Sequence, residues 1–429
     1  MKQAVLLGLS VLTVSLWADV TVTGVKVQPR SPWNGMVDVE YTVVSDEAEA
    51  DVYINPTVYD GDRRITLFPN ALAGDGVTNT VKAGKHRMTW DAMKDIGAYS
   101  CANFQFKIYA GKRLAKYVKI DLSSGSSSTN YPVTLSCVGP DVTKDACRTT
   151  ELWLRLVPPG EFWMGSPENE LGREDNETLH HVTFTQPFYM GVFEVTQKQY
   201  ELVTGNTRGS YFGSSTNWAV RPVENTYLSY IRGSIFPDRS TGFLSSSFIS
   251  KFRIKVHHGG FDLPSESRWE YACRAGSMAA LNNGKDLTDI TSPGAVEGVA
   301  AYYGNSYADQ SYTGASTAVG TRRVGCFAPN AIGLYDMHGN VAEYCRDSIY
   351  RHSWPNEDVV DPVSVVVIKN CSDYHFAIRG GSWKSIGAKC RSAYRDMVNA
   401  GCASSSPIHD HTGGMDVCVG FRICAEAGF

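Results

Sequence analysis

At 429 residues, the chain is long enough for two or three domains, each with its own core. Hydrophobic residues make up 43%, aromatics 11% and charged residues 20%, which excludes an intrinsically disordered chain. A net charge of −4, with no basic block, argues against a nucleic-acid partner.

The chain opens MKQAVLLGLSVLTVSLWADV. One lysine precedes an apolar run from Ala4 to Trp17, and Ala18 is a small residue suited to cleavage. The run is too short to span a bilayer and has the layout of a secretory signal peptide over residues 1–18. Leu16 stands where such sites usually carry a small residue, and a buried first strand is the competing reading. The expected location is outside the cytoplasm (periplasmic, cell-surface or extracellular), with no transmembrane segment once the signal is removed. Eleven cysteines fit an oxidising compartment. None forms a Cys-x-x-Cys pair, so disulfides are favoured over metal ligation, and the odd number leaves at least one thiol free or paired outside the chain.

From Asp19 to Asp121 the pattern has period two. VTVTGVKV, VDVEYTVV and FQFKIY alternate apolar and polar residues between Gly, Pro, Asn or Asp, which predicts an immunoglobulin-like β-sandwich over 19–121. GKHRMTWDA places Met88 and Trp90 on one face of such a strand, and no catalytic constellation accompanies them. LSSGSSSTN, residues 122–130, is serine-rich without apolar period and opens a linker over 122–148. Cys137 and Cys147 flank a polar loop there and are spaced to close a small disulfide ring.

Beyond Thr149 glycine and tryptophan become frequent and few helices are recognisable. PSESRWEYACRAG predicts one, capped by Ser265, with Trp269, Ala272 and Cys273 on one face and Gly276 at its end. A second follows Thr196 in TQKQYELVTG.

Eight segments then occur in order: PPGEFWMGS, FEVTQKQY, RPVEN, LPSESRWEYACRAG, GLYDMHGNVAEYCRD, RGGSW, CRSAYR and VGFRIC. Together they resemble the formylglycine-generating, or sulfatase-modifying factor, family across residues 149–429. The resemblance implies an α+β domain, a variant of the C-type-lectin fold poor in regular secondary structure.

It implies calcium first. In the family a loop like YDMHGNVAEY holds structural calcium, and its ligand positions fall here on Asp336, Gly339, Val341 and Glu343. Calcium takes several hard oxygens and tolerates backbone carbonyls, so the donor types are suitable. The bland alternative is a glycine turn with an acidic cap. The family's other calcium site has no convincing match, since YGNSYADQ offers only Asn305 and Asp309.

Catalysis is the second implication. Converting members use two cysteines to hold Cu(I), and soft thiolates suit that ion. Aligned on Gly380, Gly381, Ser382 and Trp383, the first cysteine falls on Ser385 and the second on Cys390, while Ser382 matches a serine of the oxygen pocket. A hydroxyl is hard and stays protonated, so copper is disfavoured; Cys390 and Ser382 are catalytic candidates only if the protein is active. In many members the cysteine of CRSAYR pairs with that of the AEYC segment, which implies a Cys345–Cys390 disulfide. The iron-dependent sulfoxide synthases use three histidines on a separate helical domain; His180, His181, His257 and His258 have no such domain beside them.

Binding is the third. KSIGAK (384–389) and the long polar stretch 396–418 are irregular segments between scaffold pieces, where recognition usually resides. Trp383, Lys384, Ser385, Lys389, Tyr394, Asp396, Met397, His409 and His411 are the candidate ligand contacts, and Cys402–Cys418 a candidate staple. HDH at 409–411 reads as a solvated loop tip rather than a metal site. The favoured function is an exported, non-catalytic recognition protein for an unidentified protein or glycan. Within that reading stands a variable protein of a diversity-generating retroelement, a class that diversifies residues interleaved with GGSW, CR and GFR. The alternative is a formylglycine-generating oxidase acting on sulfatase cysteine.

Overall fold

A computed structural model of the chain describes residues 9–15, 20–32, 34–46, 48–60, 63–66, 71–77, 80–96, 104–112, 114–206, 210, 212–232, 245–291, 294–306, 320–348, 357–363, 375–399 and 418–427. Sheets predominate and the helices are few and short. The chain divides into two compact units. One holds residues 1–115 with 158–163 and 181–187; the other holds 116–157, 164–180 and 188–429.

The first unit is built on two four-stranded sheets. One joins β1 (Leu9–Ser15), β8 (Phe104–Lys112), β4 (Ala50–Asp60) and β5 (Arg63–Thr66) in that order. The other runs β2 (Val20–Pro29), β3 (Met36–Ser45), β7 (Gly84–Asp91) and β6 (Leu72–Gly74), all antiparallel. Alternation does what a pleat requires. On β3, Val37, Val39, Tyr41 and Val43 are buried at every second position, facing Met88 and Trp90 of β7, which share one side as expected. The short helix α1 (Ala92–Ile96) follows, and Trp90 Nε1 donates to Asp95 Oδ2 at 2.7 Å. The apolar run expected as a signal peptide contributes β1, which pairs in parallel with β8 from Leu9↔Phe104 to Ser15↔Ala110.

Two further strands, β12 (Gly160–Met164) and β13 (His180–Phe184), pair with each other. The second unit is centred on a six-stranded sheet in the order β10 (Val133–Ser136), β9 (Tyr117–Asp121), β11 (Glu151–Val157), β14 (Phe188–Gly191), β23 (Cys424–Glu426), β15 (Phe261–Asp262). β16 (Ala300–Ala301) pairs in parallel with β17 (His338–Gly339). A four-stranded sheet, β21 (Arg395–Asn399), β20 (His375–Arg379), β18 (Ala342–Ser348) and β22 (Val419–Gly420), carries the GGSW segment at the end of β20. A two-residue strand, β19 (Val359–Val360), lies between β18 and β20 in the chain.

The helix after Thr196 is α2 (Gln197–Thr204): Thr196 Oγ1 accepts from Gln199 N while Gln199 Oε1 accepts from Thr196 N, a reciprocal cap, and Gly205 ends it at φ 79°. α3 (Leu228–Ile231) is a single turn. α4 (Phe248–Val256), capped by Ser247, escapes the sequence reading. α5 (Glu266–Arg274) is the helix expected from PSESRWEYACRAG. Ser265 caps it and Trp269, Ala272 and Cys273 are fully buried, but Ala275, in the left-handed region at φ 46°, ends it one residue before Gly276. α6 (Tyr303–Ser306) is again one turn. Phe248 stacks on Tyr200 at 5.6 Å and on Phe252 at 5.7 Å and meets Phe421 edge-on at 5.2 Å, forming an aromatic pile under α2 and α4.

The serine-rich segment is anchored. Leu122 and Tyr131 are buried, Lys255 Nζ donates to Ser126 O at 2.7 Å, and β10 pairs with β9. Cys137 is exposed and Cys147 buried, and both are free thiols, so the expected ring does not close; Cys147 Sγ donates instead to Lys144 O. Cys402, the expected partner of Cys418, lies outside the described residues.

Candidate functional site

The GGSW turn is built on two glycines. Gly380 and Gly381 sit at φ 92° and 67°, a region that favours glycine. A side-chain carbon on Gly381 would stand 2.5 Å from Lys389 O and 3.0 Å from Cys390 Sγ, so the bare backbone lets the turn close over the Lys389–Cys390 segment. The next four residues bond to themselves. Ser382 N donates to Ser385 Oγ at 3.0 Å, Ser385 N donates to Ser382 O at 2.9 Å, and the two hydroxyls lie 3.2 Å apart. Tyr303 N donates to Ser385 O at 2.9 Å. The Ser385 hydroxyl therefore closes a turn.

Cys390 lies beneath that turn with no exposed surface, among Ala280, Leu281, Leu287, Val296, Val299 and Tyr302. Burial pushes its thiol up to about 12, so it is uncharged at neutral pH. His338 supplies no base. Asn282 N donates to its Nε2 at 3.0 Å, which makes Nδ1 the protonated nitrogen, and Nδ1 donates to Cys390 O at 2.7 Å. Burial lowers its pKa to about 4. The Cys345–Cys390 disulfide implied by the resemblance does not form. Cys345 Sγ points back to Glu343 O on its own strand, whereas Cys390 is sealed in an apolar cluster made by residues 280–302, and both are free. This donor set does not fit Cu(I): Cys390 is a neutral, enclosed thiol, and position 385 carries a hydroxyl bonded within its own turn where a second sulfur would be needed.

The 336–343 loop is shaped by Asp336, Gly339 and Asn340 at φ 54°, 76° and 62°. Glu343 is saturated: Arg422 grips it with Nε on Oε2 and Nη2 on Oε1, both at 2.6 Å, and Trp269 Nε1 donates to Oε2 at 2.8 Å. Asp336 Oδ2 accepts from Gly325 N at 2.5 Å. Sequence reasoning missed Glu194, fully buried, which accepts from Asn340 Nδ2 at 2.6 Å and Val341 N at 3.0 Å. Burial, then the charges of Asp336 and Glu343, pushes Glu194 well above the usual carboxyl range, and burial pushes Asp336 up to about 6. Three buried carboxyl groups thus lie around Arg422, and keeping all three ionised is costly, a cost that a divalent cation would relieve. Toward calcium, Asp336 fits; Glu343 would become a direct ligand only if Arg422 withdrew. Among the described residues, no three His, Cys, Asp or Glu side chains converge to hold a metal unaided.

Around the turn the structure gathers several expected contacts. Trp383 is buried edge-on against Phe212 at 5.7 Å, with Lys384 Nζ 5.1 Å from the Trp383 ring centre. Lys389 Nζ lies 5.7 Å from the Tyr394 ring centre, and Tyr394 OH donates to Asp396 Oδ2 at 3.2 Å. Tyr394 is buried, whereas Lys384, Ser385, Lys389, Asp396 and Met397 are part-exposed. His409 and His411 lie outside the described residues.

Beneath these contacts is a network that motif reading did not assign. Arg395 clasps Glu266 at 2.7 and 2.8 Å, Arg391 reaches Glu177 and Glu170 at 2.6 Å each, and Arg274 meets Glu270 at 2.8 Å. Arg379 contacts Glu270 and Glu266 and donates to Ala393 O at 2.8 Å. Such ion pairs, bidentate at Arg395–Glu266 and Arg391–Glu177, fix both strands flanking the turn and give its surface residues a stiff base.

Residues 140–407 match the family described as the sulfatase-modifying factor enzyme 1-like domain. The chain is 27% identical over 264 residues to a serine/threonine-protein kinase pkn1 of Chlamydia pneumoniae, covering 58% of this chain and 36% of that one. Over 306 residues it is 26% identical to the formylglycine-generating enzyme of Streptomyces coelicolor, covering 65% and 91%. The chain thus spans about a third of the Chlamydia protein and most of the Streptomyces one. Among solved structures, Treponema denticola variable protein 1 superposes with a TM-score of 0.47 at 20% identity, covering 65% of this chain and 96% of that one. With the eight ordered motifs on one scaffold and well over half its length matched, this chain belongs to the sulfatase-modifying factor enzyme 1-like domain family.

Proposed function

We propose that the protein is exported and that its family domain recognises a protein or glycan through the surface around the GGSW turn, without formylglycine chemistry. The observation that carries this reading is the state of Cys390, which is buried in apolar side chains and uncharged, while the hydroxyl of Ser385 is committed to its own turn. Nucleophilic or copper chemistry needs an accessible thiolate. The part-exposed side chains of Lys384, Lys389, Asp396 and Met397, on a base fixed by buried ion pairs, suit binding instead.

The retroelement version is a finer form of the same reading, supported by the placement of 384–389 and 396–416 between scaffold motifs. Its test is genomic: a near-copy of the final coding segment that differs at adenines, beside a reverse-transcriptase gene. Calcium at the 336–343 loop is proposed on the buried carboxyl groups around Arg422, with Asp336 and the carbonyls of Gly339 and Val341 as its holders. Bound there, it would supply charge compensation and loop rigidity. The two sheets of the first unit are proposed as an immunoglobulin-like sandwich acting as a spacer, and residues 1–18 as a removed signal. Amino-terminal sequencing of the mature protein tests the signal.

The enzymatic alternative is tested by incubating the protein with Cu(I), oxygen and a peptide carrying the Cys-x-Pro-x-Arg core of sulfatases. The expected outcome is unchanged peptide by mass spectrometry. Conversion of its cysteine to an aldehyde would overturn the proposal.

A further inference from the structure

β10 is an edge of the six-stranded sheet: β9 flanks it on one side, and no strand pairs with its other side among the described residues. Its register with β9 sets what the free side offers. Asp121 N donates to Pro132 O at 2.9 Å. By antiparallel alternation the main chain of Thr134 and Ser136 then also faces β9, and that of Val133 and Leu135 faces outward. The edge is apolar as well. Val133 lies opposite Ile120 and Leu135 opposite Val118, and these lie opposite Leu152 and Leu154 of β11. Residues directly opposite share a face, so two apolar rows run across the three strands and out to the edge. Ile120, Val118, Leu152 and Leu154 are buried, whereas Val133 and Leu135 are 38% and 52% exposed.

Sheet edges are ordinarily guarded by charge, a bulge or a covering segment. No charged residue occurs here between Asp121 and Asp141. A charged partner would find no opposite charge along this edge. A second copy brings an edge equally uncharged, so no like charges meet. Two-fold symmetry about Thr134 also matches the outward groups. Val133 of one copy meets Leu135 of the other as a hydrogen-bonded pair on each side of the axis, and both apolar rows continue into the neighbouring sheet. Moving the axis to Val133 would call on Tyr131, whose amide already donates to Lys255 O at 2.8 Å.

We propose that β10 is a homodimer interface. Two copies of this chain pair antiparallel through Val133–Leu135, joining their six-stranded sheets across a two-fold axis at Thr134. This association is independent of the function given to the GGSW turn.

Sedimentation velocity of the full, reduced chain over a concentration series tests it. A reversible monomer–dimer equilibrium is expected, with the dissociation constant at least tenfold weaker in Leu135→Lys, which puts a charge into an apolar row. Ile254→Lys, altering an exposed apolar residue of α4, keeps the wild-type equilibrium. Oxidised Thr134→Cys should give a dimer linked through residue 134, because the axis brings those two Cα atoms to about 4.5 Å, within reach of a disulfide. That link reads the register without touching an apolar residue. The native Cys137 thiols would stand roughly 20 Å apart along the strands and stay unlinked. A chain monomeric at every concentration overturns the proposal, as does equal dimerisation of Leu135→Lys and wild type. A Cys137–Cys137 bond between copies in place of the link at 134, or a monomer that pairs an unrelated extended peptide with β10, overturns it too.

Discussion

The two units reach stability by different means. In the first, sheets with period-two alternation bury Val37, Val39, Tyr41, Val43, Met88 and Trp90, and backbone ladders satisfy the polar groups. In the second, long irregular segments are tied by buried arginine–carboxylate clasps: Arg422 to Glu343, Arg395 to Glu266, Arg391 to Glu177. A loop-rich domain has fewer ladders to satisfy its main chain, and guanidiniums reach the loose carbonyls. Arg422 donates to Gly191 O and Tyr335 O as well as to Glu343. Charge in the second unit does the positioning that pleat geometry does in the first.

The sharpest way to break that contrast is to remove a clasp. Arg422→Met strands Glu343 beside Asp336 and Glu194, and about 3–5 kcal/mol should be lost in denaturant unfolding followed by a probe in the second unit. Val39→Ala in the first unit should cost about 2 kcal/mol, the ordinary value for a buried valine. A loss equal to that of Arg422→Met would erase the distinction. Calcium chelation should lower the melting temperature of the second unit's transition, by the equivalent of about 2.7 kcal/mol if free calcium stood near 100 times its Kd. No shift on chelation would remove calcium from the account. Lys384→Ala, at the part-exposed turn, should leave stability within about 0.5 kcal/mol while weakening capture of the ligand. A large stability loss would mean that Lys384 belongs to the scaffold rather than to the binding surface.

The contrast also explains what the sequence made legible. Strands of the first unit announce themselves because alternation is local, and α2 and α5 because Thr196 and Ser265 are caps placed directly before them. α4 escaped because Lys251, Arg253 and Lys255 alternate with Phe252, Ile254 and Val256, a strand-like period on a helix. Lys255 is tolerated inside because its ammonium reaches the carbonyls of Ser126 and Val203. The site was legible only in its motifs. Ser385 in a cysteine position could be read directly, but Cys390 being enclosed by residues 280–302 could not. Glu194 and Arg422 stood in quoted motifs without a role, since their partners lie 146 and 79 residues away. Pairing at that range leaves no periodic trace. The implied Cys345–Cys390 bond failed for the same reason: Cys345 on β18 turns its sulfur to Glu343 O, while Cys390 ends a short turn and is enclosed by residues 280–302.

The central claim is that Cys390 is an enclosed, uncharged thiol unable to serve as half of a copper site. Anaerobic titration of the reduced protein with Cu(I) against a competing chelator, in wild type and Cys390→Ser, tests it most directly. The account predicts identical curves, with no tight one-to-one binding attributable to residue 390. Stoichiometric binding in the wild type that disappears in Cys390→Ser would contradict it.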